Sequence, residues 1–151
     1  MNALTIAPSA PRIAAPPQEP DLALEIFTSV PGWAIVHAAR DNRNAPLIRR
    51  GEIVVVQSDG KAGWMPTEGG LFLIEYVSQP IGRERFERRS REIVQTFSGE
   101  HGWYAAGIRR GVVGKTVYCA DGPYNDDGHL AEKLIGKVVG ILASPSIVGR
   151  A

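Results

Sequence analysis

The amino-acid sequence predicts a mainly β domain, built from curled antiparallel sheets or a small, partly open barrel, behind a disordered N-terminal tail. Three observations lead there. The 151 residues include 17 glycines and 11 prolines, roughly half as many again as an average composition supplies, which argues against a helical bundle or coiled coil. The apolar segments have strand length, are rich in Val and Ile, and stop at turn residues. The prolines are also uneven: six of the eleven fall within the first 31 residues, at Pro8, Pro11, Pro16, Pro17, Pro20 and Pro31. Proline lacks an amide donor, and Ala-Pro stretches offer little to bury.

The elements follow in chain order. Residues 1–20 read as a disordered Pro/Ala-rich tail, 21–145 as the folded domain and 146–151 as a short C-terminal tail. Asp21–Phe27 is short and apolar, either one or two helical turns or an edge strand. Trp33–Ala39 reads as a strand after the Pro31-Gly32 turn. Glu52–Gln57 is the clearest strand, β-branched and bounded by Gly51 and by Ser58-Asp59-Gly60. Val54 and Val56 should face one side, Ile53 and Val55 the other. Leu71–Val77 follows Gly69-Gly70 as another strand. Glu92–Phe97 alternates, with Ile93 and Val94 on opposite faces. Trp103–Ile108 and Lys115–Cys119 are two more. Leu134–Leu142 closes the domain, with Gly136 and Gly140 marking a bend or bulge. That makes roughly eight short strands. Helix signals are weak: Pro80–Ser90, with i,i+4 pairs Glu84–Arg88 and Glu87–Arg91, and a turn or two over Asp127–Lys133.

Composition excludes several function classes. Net charge is +1, so no global charge dictates a nucleic-acid or membrane partner. No apolar run approaches the ~18–20 residues of a membrane span. No basic region leads into an apolar segment at the N-terminus, so no secretory signal is visible. A lone cysteine, Cys119, allows no internal disulfide and suits the cytoplasm. One Cys with three His (His37, His101, His129) makes a structural zinc site a poor expectation. No cofactor is expected, and Gly107–Gly114 lacks the Lys-Ser/Thr ending of a phosphate loop.

The informative element is Asn42–Val56, NRNAPLIRRGEIVVV. A proline, an apolar pair, basic residues, Gly plus an acid, then a β-branched run make a strand–turn–strand design. Pro46 restricts Ala45 to extended geometry, and Gly51 supplies the tight turn. This segment resembles the core motif of LexA-like self-cleaving repressors, a family of Ser–Lys peptidases. Their pattern runs Gly-Asp-Ser-Met-x-Pro-hydrophobic-Ile-x-x-Gly-Asp and then a strand of the type Ile-Val-Val-Val. Ala45–Val56 follows its second half, and Leu134–Leu142 (LIGKVVGIL) is similar to the family's last strand. The resemblance runs from about Phe27 to Leu142 and implies a fold of the LexA C-terminal-domain type.

The departures bear on chemistry. Counting back from Pro46, the family's Met falls on Asn44, its nucleophilic Ser on Arg43 and its Asp on Asn42. The family's Lys, from a later strand, falls on Gln95 within Val94–Phe97. A serine nucleophile needs a base of lowered pKa, which a desolvated lysine provides. Arginine is a permanent cation and glutamine does not titrate. The resemblance therefore implies a peptidase-like domain without its dyad, with a former cleft lined near Arg43, Asn44 and Gln95. Ser58 and Ser90 are other serines nearby in sequence, away from the motif position.

Three further groups stand out. Asp121–His129 (DGPYNDDGH) is dense in oxygen donors, and Asp121, Asp127 and His129 could serve as acid, base or metal ligands. The simpler account is a solvated loop whose Asp and Asn bond their own backbone. Arg83, Arg85, Arg88, Arg89 and Arg91 form a basic cluster diluted by Glu84, Glu87 and Glu92, which reads as a charged solvated face, with Phe86 as the anchor that packs it down. Trp33 and Tyr104 are expected in the core and Trp64 exposed; Cys119 is expected to be a small buried residue.

The expected function is that of a binding, dimerisation or regulatory module whose partner is a protein or peptide, a second copy in a homodimer included. No membrane partner is expected. Family members usually carry an N-terminal helix-turn-helix, and the roughly 20 residues before this domain are too few for one, so direct DNA binding is not expected. Two alternatives are a small hydrolase or metal-binding enzyme built on the acidic loop, and a phage-type structural adaptor.

Overall fold

The computed structural model describes residues 24–58, 64–83, 85–109, 111–113, 116–118 and 120–143, with 111–113 and 116–118 described by their backbone. The tails expected at 1–20 and 146–151, and Cys119, lie outside these residues. Ten strands and one short helix occur among them: β1 (Glu25–Phe27), β2 (Ala34–Ala38), β3 (Ile53–Gln57), β4 (Leu71–Ser78), β5 (Arg88–Gly99), β6 (Gly102–Ala106), β7 (Gly111–Val113), β8 (Thr116–Tyr118), β9 (Asp121–Tyr124), α1 (Asp127–Ala131) and β10 (Leu134–Leu142). The domain is mainly β, as the turn-punctuated apolar runs predict. No described helix is long and apolar enough to cross a membrane.

Seven strands follow one path, β2-β3-β10-β4-β5-β6-β9, and β1 joins beside β10. Every pairing along the path is antiparallel, whereas β1 runs parallel to β10. The last strand is thus central. Along one side it pairs with β3 from Lys137 to Leu142. Along the other it pairs first with β4, from Leu134 to Lys137, and then with β1, from Gly140 to Leu142. The sheet therefore splits at Val138–Val139, which curls it without closing it. Register shifts fall where the glycines predict them, between Leu134 and Gly136 and between Val138 and Gly140. A side chain at Gly136 would strike the carbonyl of Gln57, and one at Gly140 the carbonyl of Glu25 and the ring of Phe27. Close backbone approach, more than the bend alone, requires glycine at both.

Apolar clusters cover both faces of the middle strands. One holds Ile48, Val54, Val56, Leu71, Leu73, Ile93, Ile108 and Val138; the other holds Phe72, Ile74, Val94, Ala105, Tyr124, Leu130 and Leu134. Ile93 and Val94 point to opposite faces as expected. Burial on both faces explains why β4 reads Leu-Phe-Leu-Ile without alternation. Leu130 of α1, fully buried, caps the second cluster. The short helix begins at an Asp126 N-cap whose side chain accepts from the His129 backbone N–H at 2.8 Å.

Several expectations need correction. The described residues of Pro80–Ser90 are not helical: β5 starts at Arg88. The pattern of alternating Glu and Arg serves a strand register instead, in which Glu75 stands opposite Arg91 and Val77 opposite Arg89. Glu75 pairs with Arg89 at 3.1 Å and Arg91 at 2.9 Å. Phe86 is no anchor, being 81% exposed. Trp33 is 42% exposed, edge-on to Phe27, whereas Tyr104 is buried as expected and stacks on Phe97. Trp64 is half-buried against the second cluster. Asp121–Tyr124, expected as loop, is a strand, because its backbone bonds to β6 between Trp103 and Ala105.

Candidate functional site

The motif loop, residues 40–50, is closed at its base and folded back at its tip. Ala39 N–H donates to the Glu52 carbonyl at 2.8 Å, and Gly51 N–H donates to the Ala39 carbonyl at 2.9 Å. Gly51 has φ +90, a left-handed geometry that glycine adopts without strain. Asn42 Oδ1 accepts the Arg50 N–H at 2.9 Å and Glu52 Oε2 accepts the Arg49 N–H at 2.7 Å. The Ala45–Pro46 peptide bond is cis.

The tip, Arg43-Asn44, lies on β5 and the segment after β6. Asn44 is buried, with Nδ2 donating to the Ile93 carbonyl at 2.9 Å and Oδ1 accepting the Ile108 N–H at 3.0 Å. The Arg43 carbonyl accepts the Arg109 N–H at 2.6 Å. A Cβ at Gly107 would stand 2.8 Å from Arg43 Cβ, so the approach depends on that glycine. The Arg43 side chain is half-exposed between two carboxylates: Nε meets Asp41 at 3.0 Å and Nη1 meets Glu92 at 3.1 Å.

A small cleft of about 60 Å³ opens between this loop and β5, with His37, Arg40, Asp41, Arg43, Ser90 and Arg91 among its walls. It has room for about two waters. Arginines and carboxylates alternate around it. His37 is held below its ordinary pKa by burial first, and then by Arg40 and Arg91. Gln95 is fully buried, two residues further along β5 on the same face as Ile93, opposite Leu71 and Ala106. Its Nε2 donates to the Gly69 carbonyl at 3.3 Å. Arg43 and Asn44 therefore line the cleft, and Gln95 sits in the sheet beyond it. Ser90 is at the rim, while Ser58 lies past the far end of β3.

The acidic segment is arranged differently. Asp121 accepts a hydrogen bond from the Tyr124 hydroxyl, and Tyr76 also reaches it. Lys133 Nζ donates to the Tyr124 hydroxyl at 3.2 Å and lies over the rings of Tyr76 and Tyr124. Burial, with Asp121 second, pushes both tyrosines well above their ordinary value. Asp127 accepts the Trp103 indole N–H at 2.6 Å. The His129 ring stands edge-on to Tyr124 at 5.5 Å. Asp121 and His129 thus both meet Tyr124, while Asp127 meets Trp103. No group of three or more His, Cys, Asp or Glu that could hold a metal occurs among the described residues.

Sequence reasoning missed His37, Arg91 and Glu92 as walls of the cleft, and Tyr124 and Tyr76 as partners of Asp121. A β5 register drawn back to Arg88 would have brought Ser90 and Arg91 to the cleft. Nothing in the spacing links Tyr76 to Asp121. Comparison with known proteins finds no matching family model, no matching curated protein and no matching solved structure.

Proposed function

We propose that this chain is a catalytically silent relative of the LexA-like peptidases that works as a binding and self-association module. The observation that carries the reading is Arg43. The motif's nucleophile position holds a side chain that cannot act as a nucleophile or be deprotonated at useful pH, and Asp41 and Glu92 hold it in place. The position matched to the family's lysine, Gln95, is packed into the sheet, where it offers a hydrogen bond and no proton acceptor of the required basicity. A protein or peptide is the partner of choice. Strand β2 ends the sheet path, pairing with β3 alone among the described strands, and a terminal strand can accept an added peptide strand. The cleft beside it is too small for a drug-sized ligand but large enough to seat part of a side chain.

The test is prolonged incubation of the purified chain at neutral and alkaline pH, alone and with extended peptides, read by intact mass. An unchanged mass is expected. Cleavage abolished by Ser90→Ala or Ser58→Ala would overturn the reading. Sedimentation velocity over a wide concentration range tests the second half, with reversible self-association as the expected result.

A further inference from the structure

Two features of this fold match each other and cannot meet within one molecule. The first is the β4–β5 ribbon. Beyond Glu75 and Arg91 these strands pair only with each other among the described residues, since the last bond to β4 from the β10 side runs from the Glu75 N–H to the Lys133 carbonyl and β6 meets β5 only from Gln95 onward. The ribbon is braced by Glu75 with Arg89 and Arg91. At its tip Phe86 and Ile81 are 81% and 73% exposed, the most exposed large apolar side chains described. Phe86 is flanked by Arg85 and Glu87.

The second feature is a groove of about 290 Å³ where the sheet splits at Val138–Val139, between the end of the β4 pairing and the start of the β1 pairing. Leu24, Phe27, Trp33 and Val138 give it apolar walls, and Glu25 and Lys137 border it. Neither of these two charges forms an ion pair with any described residue. The groove has room for one or two side chains. An Arg-Phe-Glu tip entering a Glu-and-Lys-bordered apolar groove places Arg85 by Glu25 and Glu87 by Lys137. Within one chain the two are far apart. Phe72 lies opposite Lys137, and Ser78 is six residues further along β4, about 20 Å at strand rise, with the tip beyond.

From this complementarity we infer that Phe86 of one copy docks in the Leu24–Trp33 groove of another. Each copy carries one tip and one groove, so reciprocal docking closes a dimer and one-way docking propagates a chain. The tip is an Arg-and-aromatic anchor of the kind that dominates interfaces. Its local charges nearly balance, with Arg83, Arg85 and Arg88 against Glu84 and Glu87, which favours a mixed-charge protein surface over a nucleic acid.

The inference rests on the self-association proposed above, and sedimentation velocity of the full chain separates the two. The wild-type chain should associate, and Phe86→Ser should weaken association about tenfold or more with an unchanged circular-dichroism spectrum, since Phe86 supports nothing in its own fold. Arg85→Glu and Glu25→Arg should each weaken it, and the double variant should restore it. A wild-type chain that stays monomeric overturns both proposals. Association that persists in Phe86→Ser, with no rescue by the double charge exchange, overturns only this one. Docking of the chain's own residues 1–20 in the groove would also overturn it, and would show as association of the full chain that Phe86→Ser leaves unchanged until those residues are deleted.

Discussion

Asn44 and Ile108 are joined across 64 residues by a single hydrogen bond, from the Ile108 backbone N–H to Asn44 Oδ1 at 3.0 Å. The other end of the same amide donates to the Ile93 carbonyl. One buried side chain therefore satisfies a donor and an acceptor on two separate segments and holds the motif loop against the sheet. Replacing it with alanine leaves both backbone groups buried and unpaired, at about 1–3 kcal/mol each. Asn44→Ala should lower unfolding free energy on the order of 2–4 kcal/mol in urea titration. Asn44→Asp keeps the acceptor but turns a buried carboxylate oxygen toward the Ile93 carbonyl, so it should destabilise at least as much as alanine.

Gly136 and Gly107 are positions of contact between backbones. A methyl group at 136 meets the Gln57 carbonyl and Val56, and one at 107 meets Arg43. Both Ala variants should be destabilised by about 1–3 kcal/mol, the range for overpacking. The 107 variant should also shift amide resonances of Arg43 and Asn44, which the 136 variant should leave in place.

His37 gives the fold a mild acid sensitivity. Its folded pKa lies below the unfolded value of 6.5, from burial and then from Arg40 and Arg91. The unfolded chain thus binds this proton first, so the contribution of His37 is full above 6.5 and declines as pH falls through that value toward the folded pKa. Asp41, Arg43 and Glu92 face the same cleft. Thermal unfolding followed from neutral to mildly acidic pH should show a drop in Tm, and His37→Gln should flatten it.

Tyr76 and Tyr124 act at the other end of the scale. Both are raised above the ordinary 10.0 by burial and by Asp121. Below that pH the two are neutral in both states. Above it the unfolded chain ionises and the folded chain resists, so stability declines with rising pH. Tyr76→Phe should remove part of that alkaline loss, measured by denaturant titration at successive pH values.

The ribbon ion pairs should matter little globally. Glu75→Gln removes the shared partner of Arg89 and Arg91, whose side chains are exposed, and such pairs contribute less than about 1 kcal/mol. The expected outcome is an unchanged Tm with faster amide exchange across Arg88–Arg91, a local opening.

The strands around Val54, Leu73, Val94 and Val138 were legible because β-branched runs ended at Gly, Asp or Pro, a local signal. The bulges of the last strand were legible in Gly136 and Gly140 for the same reason. Arg88–Arg91 was not, because alternating Glu and Arg satisfies both a helix at i,i+4 and a strand register, and only Glu75, thirteen residues before Arg88, decides between them. Asp121 was legible as a polar residue of interest. Its partners are Tyr124, three residues on, and Tyr76, which the path of the sheet brings in and no spacing along the chain encodes. Arg43 was legible only as a basic residue ahead of Pro46, while its Glu92 clamp depends on how β5 approaches the loop.

The central place of β10 has a consequence for assembly in time. It is the last described strand to leave the ribosome, yet β3, β4 and β1 all pair with it. Until it emerges, the β2–β3 hairpin and the β4–β5–β6 sheet are two pieces with unpaired inner edges and apolar faces uncovered. Closing them requires contacts spanning more than a hundred residues, from Glu25 to Gly140, which sets a slow, late commitment step. A chain stopped at Lys133 has the residues for most of its strands and none of the seam that makes them one sheet.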